Sequence, residues 1–464
     1  PFMQPNTIKD MDGHRPEHND YNPRTMLMPR SFLESQTPGM RQWCEFKMRN
    51  MDTVLFFKVG KFYELFHMDA DVGFEQIDLI YMKGDKGHSG FPEVSYGKYA
   101  TMLISKGFRV SRVEQTETPD MLKERNDSAS KGTKKEKVVN REMCSIMSRG
   151  TRTYSHLDDL TLLNESASEL SSDGGNNRFD MPKESILMCI TEMKLETNTD
   201  IVNIDHIHTE DEDEIGGYSG RAPVAEYGIC CIDTVLGDVT FAQFHDDEQR
   251  NRLRTMLSQY IPSEIILEHN RYSDETMGAI KLIVPGVAFE YLRGKEISTV
   301  ESTLSMLTRG EYFPDSGSTG SGSGSTTGSG PYSTWPPIMQ QIIEGLSTSQ
   351  PQESPASPAS FSSDLMFNAF GGALWLLKKC FIDLQLISYG KCHGYVPPDE
   401  SNQKQINPSY TDPGSNSDSG SRSSSSLLVA FIQSDMDMDM DVEGEGDNTP
   451  NHTPVPTDST ATTP

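Results

Sequence analysis

The sequence predicts an α/β protein with mixed sheets, divided into two folded domains with long unfolded inserts. Apolar runs of strand length, such as 54–57 and 185–190, alternate with stretches in which apolar residues recur at helical spacing. Hydrophobic residues make up 35% of the 464 positions. This share is below the ~45–50% typical of globular domains, so we expect substantial unfolded sequence beside the folded cores.

The charge is unevenly distributed along the chain. The formal net charge of -27 argues at first against a nucleic-acid binder. Residues 31–150, however, carry 19 Lys and Arg against 17 Asp and Glu, whereas the remainder carries 22 basic and 51 acidic residues. The first folded region is therefore compatible with DNA contact, and the acidic residues concentrate in segments predicted to be unfolded.

Seven cysteines without paired CxxC spacing argue against a disulfide scaffold and a structural zinc site. They predict buried, reduced thiols. Cys230 and Cys231 are adjacent on a predicted strand, so they should point to opposite faces of its sheet. No run approaches the ~18 apolar residues of a membrane span.

The first domain is predicted over 33–155, after a disordered lead-in over 1–32. Thr37-Pro38 supplies an N-cap and a proline at the first helical position, which predicts a helix over 38–49. A strand over 53–58 follows. Gly60 then predicts a tight turn, and the apolar residues from Leu65 to Ile77 predict a helix directly after it.

The rest of this domain alternates strands and helices. Residues 79–82 predict a second short strand, and a helix from Pro92 should end at Gly107. Strands over 108–113 and 142–147 complete the domain. A basic cluster between 131 and 141 is interpreted as solvated charge, with a phosphate-contacting loop as the alternative.

The turn at Gly60 carries the strongest candidate site. An exposed Phe62 beside Lys58 and Lys61 suits a wedge that enters a base step while the lysines contact phosphate. Glu64 would be repelled by phosphates, so it fits DNA only if it accepts a hydrogen bond from a base edge. The alternative is structural: Phe62 and Phe66 are core residues, and Glu64 stabilises a helix N-terminus.

Three sequence blocks resemble the MutS DNA mismatch-repair family. Residues 60–65 resemble its Phe-x-Glu motif, and residues 88–93 and 112–119 are similar to its eukaryotic MutS homologue 6-like subunits. The resemblance implies that Phe62 stacks on a mispaired base and that Glu64 hydrogen-bonds a base there. The residues expected to contact DNA are Lys58, Val59, Gly60, Lys61, Phe62, Tyr63, Glu64 and Lys83. Residues 88–93 are expected to support the loop.

The resemblance also implies partners and a location. Mismatched double-stranded DNA is the expected ligand, a MutS homologue 2-like subunit the expected heterodimer partner, and the nucleus the expected location. The first domain would be the mismatch-binding domain of the family.

The second domain is predicted over 184–312, with an acidic insert at 193–224. Strands, a hairpin at 236–237, a helix over 247–259 and a strand over 263–268 resemble the family's ribonuclease-H-like connector domain. Asp233 therefore raises a nuclease alternative, although turn chemistry before Gly237 explains it better. Histidines and carboxylates at 205–214 suggest a metal, but a solvated loop is the favoured interpretation.

The C-terminal part combines low complexity with one apolar helix. A linker over 313–362 precedes a helix over about 363–390, which resembles the family's first lever helix in a segment spanning 363–398. This helix is expected to need further lever domain to cover it. A disordered acidic tail is predicted over 399–464.

No G-x-x-x-x-G-K-[S/T] phosphate-binding loop occurs in 1–464, so the match covers only the N-terminal part of a family member. We predict no catalytic residue, metal or cofactor for this chain; ATP and Mg²⁺ are expected only for a full-length member. Mismatched-DNA recognition in post-replicative repair is the preferred function. The alternatives are an acidic protein-interaction scaffold with a vestigial DNA site and a ribonuclease-H-like nuclease.

Overall fold

The computed structural model describes residues 2–84, 86–129, 135–151, 185–195, 223–313, 332–348 and 364–399. These residues all lie within one compact unit, Pro1–Gln403. They form two mixed β-sheets with helices packed against them. We refer to residues 2–151 as the first α/β unit and to residues 185–399 as the second α/β unit.

The first α/β unit contains five strands and five α-helices among its described residues. In chain order these are α1 (Arg30–Ser35), α2 (Pro38–Lys47), β1 (Thr53–Val59), β2 (Phe62–Phe66), α3 (Met68–Ile77), β3 (His88–Pro92), α4 (Tyr96–Ser105), β4 (Arg109–Gln115), α5 (Pro119–Ser128) and β5 (Arg141–Met147). The strand order is β3-β2-β1-β4-β5. Only the β1–β4 pair is parallel in this sheet.

The central strand β1 is buried on both faces, which explains its continuous apolar sequence. Leu55 and Phe57 pack in one cluster with Trp43 of α2. Val54 and Phe56 pack on the other face, where α3 and α4 contribute apolar side chains. The predicted start of α2 is confirmed, because the Thr37 side chain accepts a hydrogen bond from the Met40 N–H.

Two local predictions in this unit are wrong. Residues 62–66 form strand β2 rather than the start of a helix, and the helix begins only at Met68. Residues 79–82 form no strand, whereas His88–Pro92 does, paired with β2. Tyr63 and Leu65 alternate into the core, so a period of two governs this stretch.

The structure also differs from the predicted disordered lead-in. Met26 and Met28 are buried in the cluster that contains Trp43 and Phe57. The Met26 N–H donates to the Met48 carbonyl at 2.7 Å. The lead-in therefore covers one face of the first sheet, although its sequence has no helical or strand period.

The second α/β unit is built on a six-stranded sheet. Its elements are β6 (Ile186–Lys194), β7 (Ala225–Asp233), β8 (Val239–Asp246), α6 (Asn251–Tyr260), β9 (Glu264–Glu268), α7 (Asp274–Ile283), β10 (Ala288–Leu292), α8 (Val300–Gly310), α9 (Pro337–Thr348), α10 (Asp364–Lys379), α11 (Asp383–Ile387) and β11 (Cys392–Tyr395). The strand order is β10-β9-β6-β7-β8-β11. Strands β6, β7 and β8 are antiparallel, and the other pairs are parallel.

The apolar helix α10 packs on this second sheet. Phe367 and Phe370 are buried in one cluster with Cys230 of β7. A Cβ on Gly228 would lie 2.1 Å from the Leu365 carbonyl carbon, so the glycine permits this close approach. The expectation that α10 needs further lever domain to cover it is therefore wrong. The assignment of 363–398 to a lever domain stays a prediction.

The two adjacent cysteines point to opposite faces, as predicted: Cys230 and Cys231 belong to separate apolar clusters. The acidic run at 210–214, residues 314–331 of the predicted linker and residues 400–464 of the predicted tail lie outside the described residues. The linker predicted over 313–362 is wrong in one part, since Pro337–Thr348 forms α9 and Met339 on it is buried. Among the described helices, none is long and apolar enough to cross a membrane.

Candidate nucleic-acid interface

The candidate site lies on the hairpin of β1 and β2. Val59 pairs with Phe62 across a turn formed by Gly60 and Lys61, both exposed. Gly60 has a φ of 61°, in the left-handed region that glycine adopts without a steric penalty. Phe62 follows the turn and is 45% exposed. The hairpin therefore presents an aromatic ring at its open end.

Phe62 and Glu64 lie on the same face of β2, because successive strand residues alternate between faces. The Glu64 Oε2 lies 3.1 Å from the His88 Nε2. The His88 ring in turn stacks on Phe66, with ring centroids 4.7 Å apart. A partly buried carboxylate is thus held two residues along the strand from the exposed ring, on the same face.

Strand β3 supports β2 through an unusually close approach. Gly90 pairs with Glu64, and a Cβ at Gly90 would lie 2.8 Å from the Tyr63 carbonyl oxygen. The Glu93 N–H also donates to the Lys61 carbonyl at 2.9 Å. These contacts agree with the expected supporting role of residues 88–93.

Lys58 is held inside the unit. Its ammonium pairs with the Glu93 carboxylate, lies 3.9 Å from Glu114 Oε2 and sits 4.7 Å from the centroid of the Tyr63 ring. The hydrogen bond from Lys58 holds the pKa of Glu93 below its usual value. Because the ammonium is buried and paired, Lys58 braces the hairpin in this structure, and its predicted phosphate contact stays a prediction.

Tyr63 is a core residue of the first α/β unit, since it is 1% exposed, and its predicted DNA contact stays a prediction. Its hydroxyl donates to the Glu114 carboxylate and accepts from the Arg112 Nε at 2.8 Å. Burial, followed by the hydrogen bond to Glu114, raises its pKa well above the usual value. Tyr63 therefore ties β2 to β4 on the face opposite Phe62.

The remaining predicted residues occupy different positions. Val59 is half-buried and packs at the margin of the cluster that contains Trp43. Lys83 is exposed in the segment between α3 and β3. Phe62, Glu64, Gly60 and Lys61 are thus brought together on the hairpin.

Sequence reasoning missed the part played by Arg141. Its guanidinium lies 4.6 Å from the Phe57 ring centroid and donates from Nε to the Lys58 carbonyl at 2.8 Å. Burial lowers the pKa of Arg141, and the nearby Glu64 charge opposes that shift. Only the three-dimensional pairing of β5 with β4 brings Arg141 near this hairpin.

Asp233 forms the predicted turn. Its Oδ1 accepts hydrogen bonds from the N–H groups of Val235 at 2.8 Å and Leu236 at 3.1 Å, before Gly237 with a φ of 75°. Among the described residues, no group of three or more His, Cys, Asp or Glu side chains could hold a metal ion. The turn interpretation of Asp233 is confirmed.

Two family models match the chain, one in each α/β unit. MutS domain I matches residues 37–156, and MutS domain II matches residues 223–321. The chain belongs to the MutS family, as the resemblance of its motifs predicted.

Within that family the chain is similar to Msh6 proteins. It is 32% identical over 409 residues to DNA mismatch repair protein Msh6 of Gallus gallus, covering 88% of this chain and 26% of that protein. It is 34% identical over 392 residues to the Homo sapiens protein of that name, covering 84% of this chain and 25% of the relative. It is 33% identical over 401 residues to a probable Msh6 of Drosophila melanogaster, covering 86% of this chain and 28% of that protein. The chain spans about a quarter of the length of these curated relatives.

Proposed function

We propose that this chain recognises mismatched double-stranded DNA, with Phe62 as a wedge and Glu64 as a base contact. The observation that carries the proposal is an exposed aromatic ring at the end of a buried, braced hairpin, with a carboxylate on the same strand face. The similarity to Msh6 proteins supports the assignment to mismatch repair.

A rigid support favours a wedge because insertion then costs little ordering of the protein. Phe62 is the first residue of β2, which is hydrogen-bonded to β1 on one side and to β3 on the other. The first six residues of β1 are buried. Unstacking a base step costs about a few kcal/mol, and least where the pair is already mismatched. This difference in unstacking cost is the proposed source of discrimination.

Glu64 would add selectivity to the wedge. A carboxylate near phosphates is repelled, so it is tolerated only where a base offers a hydrogen-bond donor. The His88 Nε2 lies 3.1 Å from the Glu64 Oε2 and helps to hold it, and the charge of Arg141 interacts with that of Glu64. Exposed Lys61 is the proposed phosphate contact at the turn, and Lys83 is a second.

We further propose that the chain acts beside a MutS homologue 2-like subunit, in the nucleus, in post-replicative repair. This part rests on the similarity to eukaryotic Msh6 proteins. The proposed role is binding rather than catalysis, and it requires no cofactor bound to this chain. The nuclease alternative is not adopted, since the Asp233 carboxylate accepts turn hydrogen bonds.

The test compares binding of the full chain to matched duplex and to the same duplex with one mispair, by fluorescence anisotropy at fixed salt. We expect Phe62→Ala to remove most of the mismatch preference. Loss of one base–aromatic stack is worth about 1–3 kcal/mol, or roughly 5–150-fold in affinity. Phe74→Ala is the matched control, because Phe74 is 50% exposed on α3, outside the hairpin.

The possible outcomes distinguish failure of the wedge from failure of the recognition role. Mismatch preference that survives Phe62→Ala contradicts the wedge, and equal binding of both duplexes by the wild-type chain contradicts the recognition role itself. Glu64→Ala should reduce the preference with a smaller effect on binding to matched duplex. An unchanged preference in that variant would remove Glu64 from the proposal.

A further inference from the structure

A set of buried and partly buried ion pairs joins the two α/β units. Arg109, the first residue of β4, lies with its NH1 3.1 Å from the Asp52 Oδ2 and its NH2 2.6 Å from the Glu264 Oε1. Its NH2 also pairs with Glu290. Glu264 begins β9 and Glu290 lies in β10, so one guanidinium links the first sheet to two strands of the second.

Two further cations complete the set. Arg24 of the lead-in lies 2.5 Å from the Glu290 Oε1 and 2.5 Å from the Glu296 Oε2. The Lys379 Nζ, at the end of α10, lies 3.0 Å from the Asp52 Oδ2. We call this set the interdomain clasp; its members are Arg24, Asp52, Arg109, Glu264, Glu290, Glu296 and Lys379.

Close backbone contacts surround Glu264 in the clasp. The Gly150 N–H donates to the Glu264 Oε2 at 3.0 Å, and a Cβ on Gly150 would lie 2.6 Å from the Glu264 Cβ. Arg149 NH1 donates to the Gly286 carbonyl at 3.1 Å. The Glu264 side chain is 1% exposed and that of Arg109 13% exposed, so salt screens their interaction less than it screens surface pairs.

The position of the clasp connects it with the hairpin. Asp52 directly precedes β1, and Arg109 pairs in register with Thr53 at the start of that strand. The Gly60 turn follows the other end of β1, roughly 20 Å away at ~3.3 Å per residue. The clasp therefore holds one end of the two central strands, and the exposed Phe62 lies beyond the opposite end of β1.

We propose that the interdomain clasp fixes the orientation of the first α/β unit on the second, and that Arg109 is a positioning residue for the Phe62 wedge. Removing one partner from a buried pair leaves charges uncompensated, whereas an intact set favours one arrangement. The structural part of this proposal stands by itself, and its consequence for DNA rests on the proposed function.

The first test measures the distance between the units without DNA. Spin labels go on Cys144, exposed on β5, and on Gln259→Cys at an exposed position of α6, in a Cys392→Ser background. With the clasp intact, pulsed electron paramagnetic resonance should give one narrow distribution of the distance between the two labels. We expect Arg109→Met to broaden it about twofold or more.

Matched variants keep this test decisive. Arg30→Met is the control, because Arg30 pairs with Glu34 on the surface and should leave the distribution narrow. Arg109→Lys retains the charge and should restore part of the order. If Arg109→Met does not fold, Lys379→Met replaces it, since it removes a less buried partner of Asp52. An unchanged width in a folded clasp variant overturns the proposal.

The second test repeats the matched and mismatched binding comparison with Arg109→Met. We expect the mismatch preference to fall several-fold while circular dichroism shows a folded chain. A broadened distance with unchanged preference would leave the orientation role intact and reject the positioning role. A wild-type chain without any preference would reject the proposed function, and the distance test would still be readable.

Discussion

Removing the Lys47 ammonium should destabilise the first α/β unit strongly. Lys47 and Asp69 are each 2% exposed, and their charged atoms lie 2.7 Å apart beneath β1. The Lys47 Nζ also donates to the Thr53 carbonyl at 2.6 Å, and the Asp69 Oδ2 accepts from the Leu55 N–H at 3.2 Å. This pair joins α2 and α3 to the strand that leads to the hairpin.

The expected cost of Lys47→Met follows from this burial. Breaking a buried pair by removing one partner costs about 3–5 kcal/mol, because the other charge stays buried. The double variant Lys47→Met/Asp69→Leu should recover part of that loss. It should still be about 1–3 kcal/mol less stable than wild type, because the Leu55 N–H loses its acceptor.

Urea unfolding followed by Trp fluorescence and circular dichroism measures these differences. Trp43 in α2 is buried in the first unit and reports its unfolding. Arg30→Met should change the free energy of unfolding by less than about 0.5 kcal/mol, as exposed helix pairs do. A loss below about 1 kcal/mol for Lys47→Met, with an unchanged urea slope, would refute this account of the pair.

Two other predictions concern the hairpin support and the clasp. Gly90→Ala should weaken β2–β3 pairing, since the alanine Cβ would lie 2.8 Å from the Tyr63 carbonyl oxygen. We expect faster amide hydrogen exchange in both strands. Unchanged exchange would contradict the close packing of Gly90 on β2. Burial raises the pKa of Asp52, but Lys379 and Arg109 outweigh it and hold that pKa below the usual 3.8. Its stabilising contribution is therefore present above about pH 4 and is lost as pH falls through the lowered value. Melting temperatures from pH 7 to 3 should fall more steeply for wild type than for Asp52→Asn, and parallel curves would contradict this.

Much of the fold follows from local sequence. Thr37-Pro38 predicts the start of α2, and the continuous apolar run in β1 predicts a strand buried on both faces. The hairpin at Gly237 and the opposed faces of Cys230 and Cys231 also follow from turn chemistry and strand alternation. These features depend on neighbours in sequence, so they can be predicted without the tertiary structure.

The errors arise where long-range pairing overrides a local period. Apolar residues from Leu65 to Ile77 match a helical spacing, yet β1 on one side and β3 on the other draw Phe62–Phe66 into the sheet. The lead-in has no period, and Met26 is ordered by contact with Trp43 rather than by its own sequence.

The candidate site was predicted only in part. The exposure of Phe62 and its shared face with Glu64 agree with the wedge expected from the family resemblance. The burial of Tyr63 and the pairing of Lys58 with Glu93 could not be predicted, since Glu93 and Glu114 are distant in sequence. Sequence motifs therefore located the Gly60 turn and the residues beside it, but not the hairpin. Which of those residues are exposed and which are buried depends on contacts across the sheet.

The most direct measurement places a fluorescent adenine analogue, 2-aminopurine, beside the mispair and follows its emission as the chain is added. Unstacking relieves its quenching, so we predict that the wild-type chain raises the emission of mismatched duplex more than that of matched duplex. Phe62→Ala should abolish this difference. An equal rise with wild type and Phe62→Ala would contradict the claim that this ring opens the base step.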